Sequence, residues 1–314
     1  MKKVLAENKN KLSWIAIGIT LVISILLSII GIYWIEDYGI AIFILLPLYL
    51  GFSPTIIYGK ILPISKNQSW RFGLITLSLY AFCLILMAIE GLICVIMAFP
   101  IAMLFVWLGS LSGYLLINKK PSNALKSMIL LIMLIPTLGF IERDNEPTLN
   151  SVITKIEINA DTDKVWKNVV EFPRLKEPKE LIFKAGIAYP IDANIKGKGI
   201  GAIRYCNFTT GSFIEPITNW NEPHILQFDV VQQPEPMKEL SFWNVDSPHL
   251  HDYFVSVKGQ FKLIKLPNGN TLLEGTTWYY HDIKPEFYWQ LWSEYIIHKI
   301  HYRVLNHIKT NSEK

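Results

Sequence analysis

Five long apolar runs crowd the first 141 residues, and they constrain the chain more than any other feature. Crossing ~30 Å of hydrocarbon at ~1.5 Å per helical residue takes about 20 apolar residues. Residues 13–35, 38–59, 72–89 and 91–118 contain no charged residue, and 125–141 contains only Lys126, placed where its amine can snorkel. One such run could be a core helix; five in succession predict a transmembrane helical domain over 1–141. The first is longer than the h-region of a signal peptide and ends at Tyr33, Trp34 and Glu36, so it reads as an uncleaved, interface-anchored span.

Charge supports this reading. Residues 1–141 hold ten Lys/Arg and four Asp/Glu, against twenty and twenty-two in the rest, so the net charge of +4 belongs to the membrane half. Its lysines sit in short breaks: Lys2, Lys3, Lys9 and Lys11; then Lys60, Lys66 and Arg71; then Lys119, Lys120 and Lys126. Acidic breaks, Glu36–Asp37 and Glu90, alternate with them. The basic excess is thus a topology signal, and nucleic-acid binding is set aside. Five spans in a cell membrane with a cytoplasmic N-terminus place the C-terminal domain on the outer side. If one run is re-entrant, that side inverts. Glu90, an acid inside an apolar stretch, marks either an interfacial turn or a polar site in the helix bundle.

At Glu142 the chain changes character. Residues 142–150 read as a polar linker, and 151–310 as an α+β domain. VITKIEINA (152–160) alternates as a strand does. Asp161 or Thr162 offers an N-cap for a helix carrying Val165, Trp166, Val169 and Val170. From about 186 to 283 strand signals dominate, with a hairpin predicted at Pro267–Asn270. Beyond Pro285, apolar residues recur at helical spacing to 308 and predict one long amphipathic helix. A curved antiparallel sheet closed by such a helix leaves a pocket where the two do not fully meet.

The segments VITKIEINADTDKVWKNVVEFPRL, RYCNFTTGSFIEPITNW, GQFKL, LEGTTWYYHDIKPEFYWQLW and IHKIHYRVLNHIK resemble the START-like, helix-grip (SRPBCC) superfamily. The likeness is to an uncharacterised bacterial branch in which the domain follows several membrane helices. The resemblance implies a curved antiparallel sheet wrapped on a long C-terminal helix, and a central cavity for hydrophobic ligands. It implies no shared catalytic motif, cofactor or metal.

Candidate residues follow from side-chain chemistry. Arg204 and Glu215, on neighbouring strands, would if both point inward form a charged pair in an apolar cavity, fit for a carboxylate or phosphate head group; a structural ion pair at the sheet end is the plainer account. Trp278, Tyr280, Tyr288, Trp292 and Tyr295 are expected to line the cavity, with His298. Glu294, His298 and His301 share a helical face at i, i+4 and i+7, making them candidates for acid–base work; hydrogen bonding at the helix–sheet boundary is the plainer account. His249 and His251 are expected on one strand face. Cys206, the soluble half's only cysteine, has no nearby base in sequence that would make it a nucleophile. The loop 241–254 is a candidate lid or membrane-dipping segment. The expected function is membrane-tethered binding or transfer of a hydrophobic, lipid-like ligand, with the bilayer and a hydrophobic small molecule or lipid as partners. The alternatives are a cyclase/dehydrase- or hydrolase-type enzyme, and a membrane sensor or assembly protein.

Overall fold

The computed structural model describes residues 2–238 and 245–314. Residues 239–244, and with them the first part of the expected lid, lie outside the described residues. The chain forms two compact units. The first runs through Glu146 and takes in two later segments, one ending at Pro248 and the other Ile283–Pro285. The second holds the rest.

The first unit contains five helices long and apolar enough to cross a membrane: Asn8–Ile35, Ala41–Gly59, Lys66–Leu86, Leu92–Lys119 and Pro121–Glu142. We number the α-helical parts α1 (Lys2–Ile29), α2 (Leu46–Gly59), α3 (Lys66–Leu86), α4 (Leu92–Lys119) and α5 (Pro121–Glu142); π-helical turns Ile30–Ile35 and Ala41–Leu45 extend the first two. At the start of α3 a cap, not hydropathy, sets the boundary. The side chain of Ser65 accepts from Gln68 N at 3.2 Å, so α3 begins six residues before the apolar run does. Inside the bundle α2 and α4 touch backbone to backbone. A Cβ added at Gly109 would lie 2.0 Å from Leu48 O, and one at Gly51 would lie 2.1 Å from Val106 O. Small residues permit that approach, as they do in membrane helix pairs. Hydroxyls turn inward too: Thr20, Ser24 and Ser28 are buried, Thr20 bonds Ser53 at 2.9 Å and Ser28 bonds Tyr80.

The second unit has strands β1 (Asn150–Ile158), β2 (Pro190–Lys196), β3 (Ile203–Phe208), β4 (Gly211–Asn221), β5 (Ile225–Asp229), β6 (Phe254–Lys265) and β7 (Thr271–His281). They form one curled antiparallel sheet in the order β1-β7-β6-β5-β4-β3-β2. Helices α6 (Thr162–Val170) and α7 (Leu181–Lys184) lie between β1 and β2, and α8 (Glu286–Ser312) ends the chain. Asp161 caps α6, accepting from Lys164 N at 2.9 Å. The β6–β7 turn has Gly269 at φ +86°, a conformation glycine adopts without a Cβ penalty. His249 lies in a short 3₁₀ turn, Pro248–Leu250, not on a strand as alternation had suggested.

Packing joins α6 and α8 to the inner face of the sheet. Ile158, Val165, Trp166, Val169, Leu226, Leu273, Leu305 and Ile308 are all buried in one cluster, and Trp166 meets Trp220 edge to face at 5.5 Å. This is the helix-grip arrangement: a curled sheet closed over a long C-terminal helix.

Candidate functional site: a cavity between the sheet and the C-terminal helix

Core packing is incomplete toward the middle of α8, and a cavity of about 140 Å³ remains there. One wall is α8, through Ile296, Ile297, Ile300, His301 and Val304. The opposite wall is the concave sheet, including Phe213, Phe228 and Phe261. Two glycines shape that wall. A Cβ at Gly259 would sit 2.4 Å from the Phe228 ring, so a side chain there would force the ring aside. Gly275, in the next strand, opposes Thr154 of β1 in the register and brings no side chain to the space. Glycine inside a strand often marks such an approach.

Arg204 and Glu215 are directly opposite residues of β3 and β4, and both line the cavity. They form a buried salt bridge, with 2 % and 7 % of the side chains accessible. Three rings surround the guanidinium: Phe228 at 5.2 Å, and Phe172 and Phe261 each at 5.7 Å. Burial pulls the arginine's pKa down, but the Glu215 carboxylate and then Cys206 more than offset that, and the pKa is held above the ordinary value. The Nε–H of Arg204 has no hydrogen-bond acceptor among the described residues. Beside it, burial pushes the Cys206 thiol up to about 12, so it is a neutral thiol and not a nucleophilic thiolate.

His301 reaches the cavity from α8. Its Nδ1 bonds Thr154 Oγ1 at 2.9 Å and its Nε2 bonds Thr277 Oγ1 at 2.8 Å. Thr154 Oγ1 also bonds His298 Nδ1, at 2.7 Å. Burial, and then the neighbouring His298, lower the pKa of His301 to about 3, so its ring is neutral.

The residues expected from sequence separate into two groups. Arg204 and Glu215 line the cavity, and so does His301. The ring set does not. Trp278 and Tyr280 fall out of phase with the inner residues Gly275, Thr277 and Tyr279 of β7, so strand alternation turns them to the other face. Tyr288, Trp292 and Tyr295 lie off the inner stripe of α8, and Tyr295 is 46 % exposed. His298 borders that stripe, stacked on Tyr302. Glu294 accepts from Gln290 Nε2 at 2.9 Å. Residues that sequence reasoning missed are Thr154, Thr276 and Thr277, the two glycines, and the isoleucines of α8; the strand-interior glycines were the readable signal.

In the first unit Glu90 lies in the break between α3 and α4, where its buried carboxylate accepts from Tyr38 Oη at 3.0 Å. A carboxylate placed there is both an element of the turn and part of the polar interior.

No family model matches the chain, and no curated protein matches it. Solved structures similar to the second unit include a norcoclaurine synthase point mutant from Thalictrum flavum, bound to a transition-state analogue. It is 11 % identical, covering 54 % of this chain and 97 % of that one, with a TM-score of 0.35. The Zhui aromatase/cyclase from Streptomyces sp. R1128 is 11 % identical over 53 % of this chain and 94 % of that one, with a TM-score of 0.35. A structural-genomics protein from Nitrosospira multiformis is 14 % identical over 51 % and 94 %, with a TM-score of 0.33.

Proposed function

We propose that this is a membrane-anchored binding protein whose helix-grip unit takes a compact hydrophobic ligand into the cavity between the sheet and α8. The cavity carries this reading: it measures about 140 Å³, and aromatic and aliphatic side chains make up most of its walls. An apolar cavity of ~150 Å³ is enough to hold benzene. The ligand is therefore a molecule of about that bulk, or the end of a longer chain, and not a whole two-chain lipid. Arg204 lines this cavity with its Nε–H enclosed in the wall. Its charge is already matched by Glu215, which favours a neutral carbonyl or hydroxyl over a carboxylate or phosphate head group.

In this reading the five apolar helices anchor the protein in the cell membrane. The alternating basic and acidic breaks favour a cytoplasmic N-terminus, with the ligand-binding unit on the outer side.

The test uses the full chain in detergent. Native mass spectrometry reads any small molecule that co-purifies, and a ¹⁹F NMR titration with fluorobenzene, read against protein-free detergent, reports access to the cavity. Cys206→Phe, which fills the space from the β3 wall, is expected to abolish fluorobenzene binding while the far-ultraviolet spectrum is kept. Equal binding by wild type and the folded variant would refute the assignment.

A further inference from the structure

Four side chains form an unbroken hydrogen-bonded series from the cavity wall to the outer face of α8. Thr277 lines the cavity and bonds His301 Nε2 at 2.8 Å; His301 Nδ1 bonds Thr154 Oγ1 at 2.9 Å; Thr154 Oγ1 bonds His298 Nδ1 at 2.7 Å. His298 is partly accessible, between Tyr295 and Tyr302, each 46 % exposed. Thr154 and Thr277 are brought together by the β1–β7 register, which pairs Thr154 with Gly275 and so sets Thr277 one inward position further along.

Each hydroxyl has one proton, and a neutral imidazole has one N–H and one acceptor nitrogen. The series therefore has two self-consistent polarities. In the first, His298 Nδ1–H donates to Thr154, Thr154 donates to His301 Nδ1, and His301 Nε2–H donates to Thr277. The hydroxyl proton of Thr277 is then free to point into the cavity. In the second, every donor reverses: Thr277 donates to His301 Nε2, His301 Nδ1–H to Thr154, and Thr154 to His298 Nδ1. Thr277 then offers the cavity lone pairs only.

We propose that Thr277, His301, Thr154 and His298 are a proton relay joining the ligand cavity to solvent, serving a ligand whose oxygen gains or loses a proton. The step balances. A proton from solvent adds to His298 Nε2, and the Nδ1 proton of His298 passes to Thr154 Oγ1. The Thr154 proton passes to His301 Nδ1, the Nε2 proton of His301 passes to Thr277, and the Thr277 proton passes to the ligand oxygen. One proton enters, one leaves, and the first polarity becomes the second. The reverse sequence takes a proton from the ligand. The suitable ligand class is a compact apolar carbonyl compound that can enolise, or a phenol. This rests on the cavity being a ligand site.

The charged groups around the relay have partners of their own. On α8, Glu294 accepts from Gln290, Lys299 lies over the Tyr295 ring at 5.4 Å, and Arg303 donates to the carbonyls of Pro190, in β2, and Lys176. From the flanking strands come Tyr279 of β7 in the inner layer and Lys155 of β1, ion-paired to Glu274 of β7 at 2.6 Å. Helix α6 meets α8 near its far end, where Asn168 bonds Ser312. Burial holds His301 neutral, as a relay requires.

The experiment needs no ligand, so its failure is separable from failure of the binding assignment. Full chain labelled with ¹⁵N-histidine is placed in lipid nanodiscs, and long-range ¹H–¹⁵N spectra give the tautomer of each ring between pH 8 and 5. Protonation of His298 fixes its Nδ1–H toward Thr154 and selects the first polarity. Neutral His301 is therefore expected to move from a mixture to the Nε2–H form with the same midpoint as His298. Thr154→Val should abolish this coupled shift while His298 still titrates, and Thr154→Ser should restore it. A His301 tautomer that ignores His298 in the wild type overturns the relay, whether or not the valine variant folds. So does an unchanged coupled shift in a folded Thr154→Val protein.

Discussion

Removing one member of the buried Arg204–Glu215 pair should destabilise the second unit far more than removing both. With 2 % and 7 % of their side chains accessible and aromatic rings around the guanidinium, neither charge has water to fall back on. Taking away Glu215, as Glu215→Leu, leaves a charged guanidinium in an apolar wall. Stranding a buried charge in this way costs ~3–5 kcal/mol, whereas replacing a whole buried pair by apolar residues is often neutral or stabilising by ~1–4 kcal/mol. For a unit of roughly 160 residues, where 1 kcal/mol moves the midpoint by about 2–4 °C, the single change should lower Tm by roughly 6–20 °C. Arg204→Met should act similarly, and Arg204→Met/Glu215→Leu should return to within a few degrees of wild type. The measurement is a thermal melt of the full chain in detergent. Hydrogen exchange across β3 and β4 assigns the transition to this unit and reads its local opening free energy. A single variant costing under ~1 kcal/mol, or a double variant as unstable as the worse single, would refute the reasoning that desolvation dominates this pair.

The neutral His301 should make stability pH-dependent. Its folded pKa, about 3, is below the ordinary 6.5, so only the unfolded chain takes up the proton between them. The stability held by the neutral ring is complete above 6.5 and is lost as pH falls toward 3, at most ~1.4 kcal/mol per pH unit. His301→Gln should flatten the fall in Tm between pH 7 and 5, and an unchanged slope would contradict the assignment. In the first unit, Gly109→Ala should sharply lower the yield of folded protein, because its Cβ would lie 2.0 Å from Leu48 O; Gly18→Ala, where nothing lies within 4 Å, should be tolerated. Thermal stability in detergent separates the two. Cys206, buried with its pKa raised to about 12, should resist maleimide at pH 8 in the folded protein and react once the unit is unfolded in urea, as intact-mass spectrometry would show.

The fold was largely legible because its signals are local. Apolar length marked the five helices; alternation at 152–160, the Asn-Gly turn and the helical spacing after Pro285 marked the helix-grip unit. The Arg204–Glu215 juxtaposition was legible as well, since strands joined by a tight turn fix their own register. The aromatic residues were not. Helix α8 carries two apolar stripes, one through 288, 292 and 295 and another through 289, 297, 300 and 304, and both fit the helical period. Only packing against β1 and β7 selects the second. In TTWYYH likewise, aromatic residues occupy both strand faces, and the β1 pairing decides that Tyr279 turns inward. The Thr154–His301–Thr277 contacts join three elements across 147 and 24 residues, a distance no local pattern spans.

The short segment Ile283–Pro285 bears on how the chain can be divided. It belongs to the first unit, where Lys284 N donates to Tyr38 O at 2.9 Å and Lys284 Nζ to Glu142 O at 3.1 Å, yet β7 precedes it and α8 follows it. The polypeptide therefore leaves the second unit after β7 and returns to it at the first residue of α8, so each unit is built from several stretches of chain and a single cut near residue 147 does not divide one from the other.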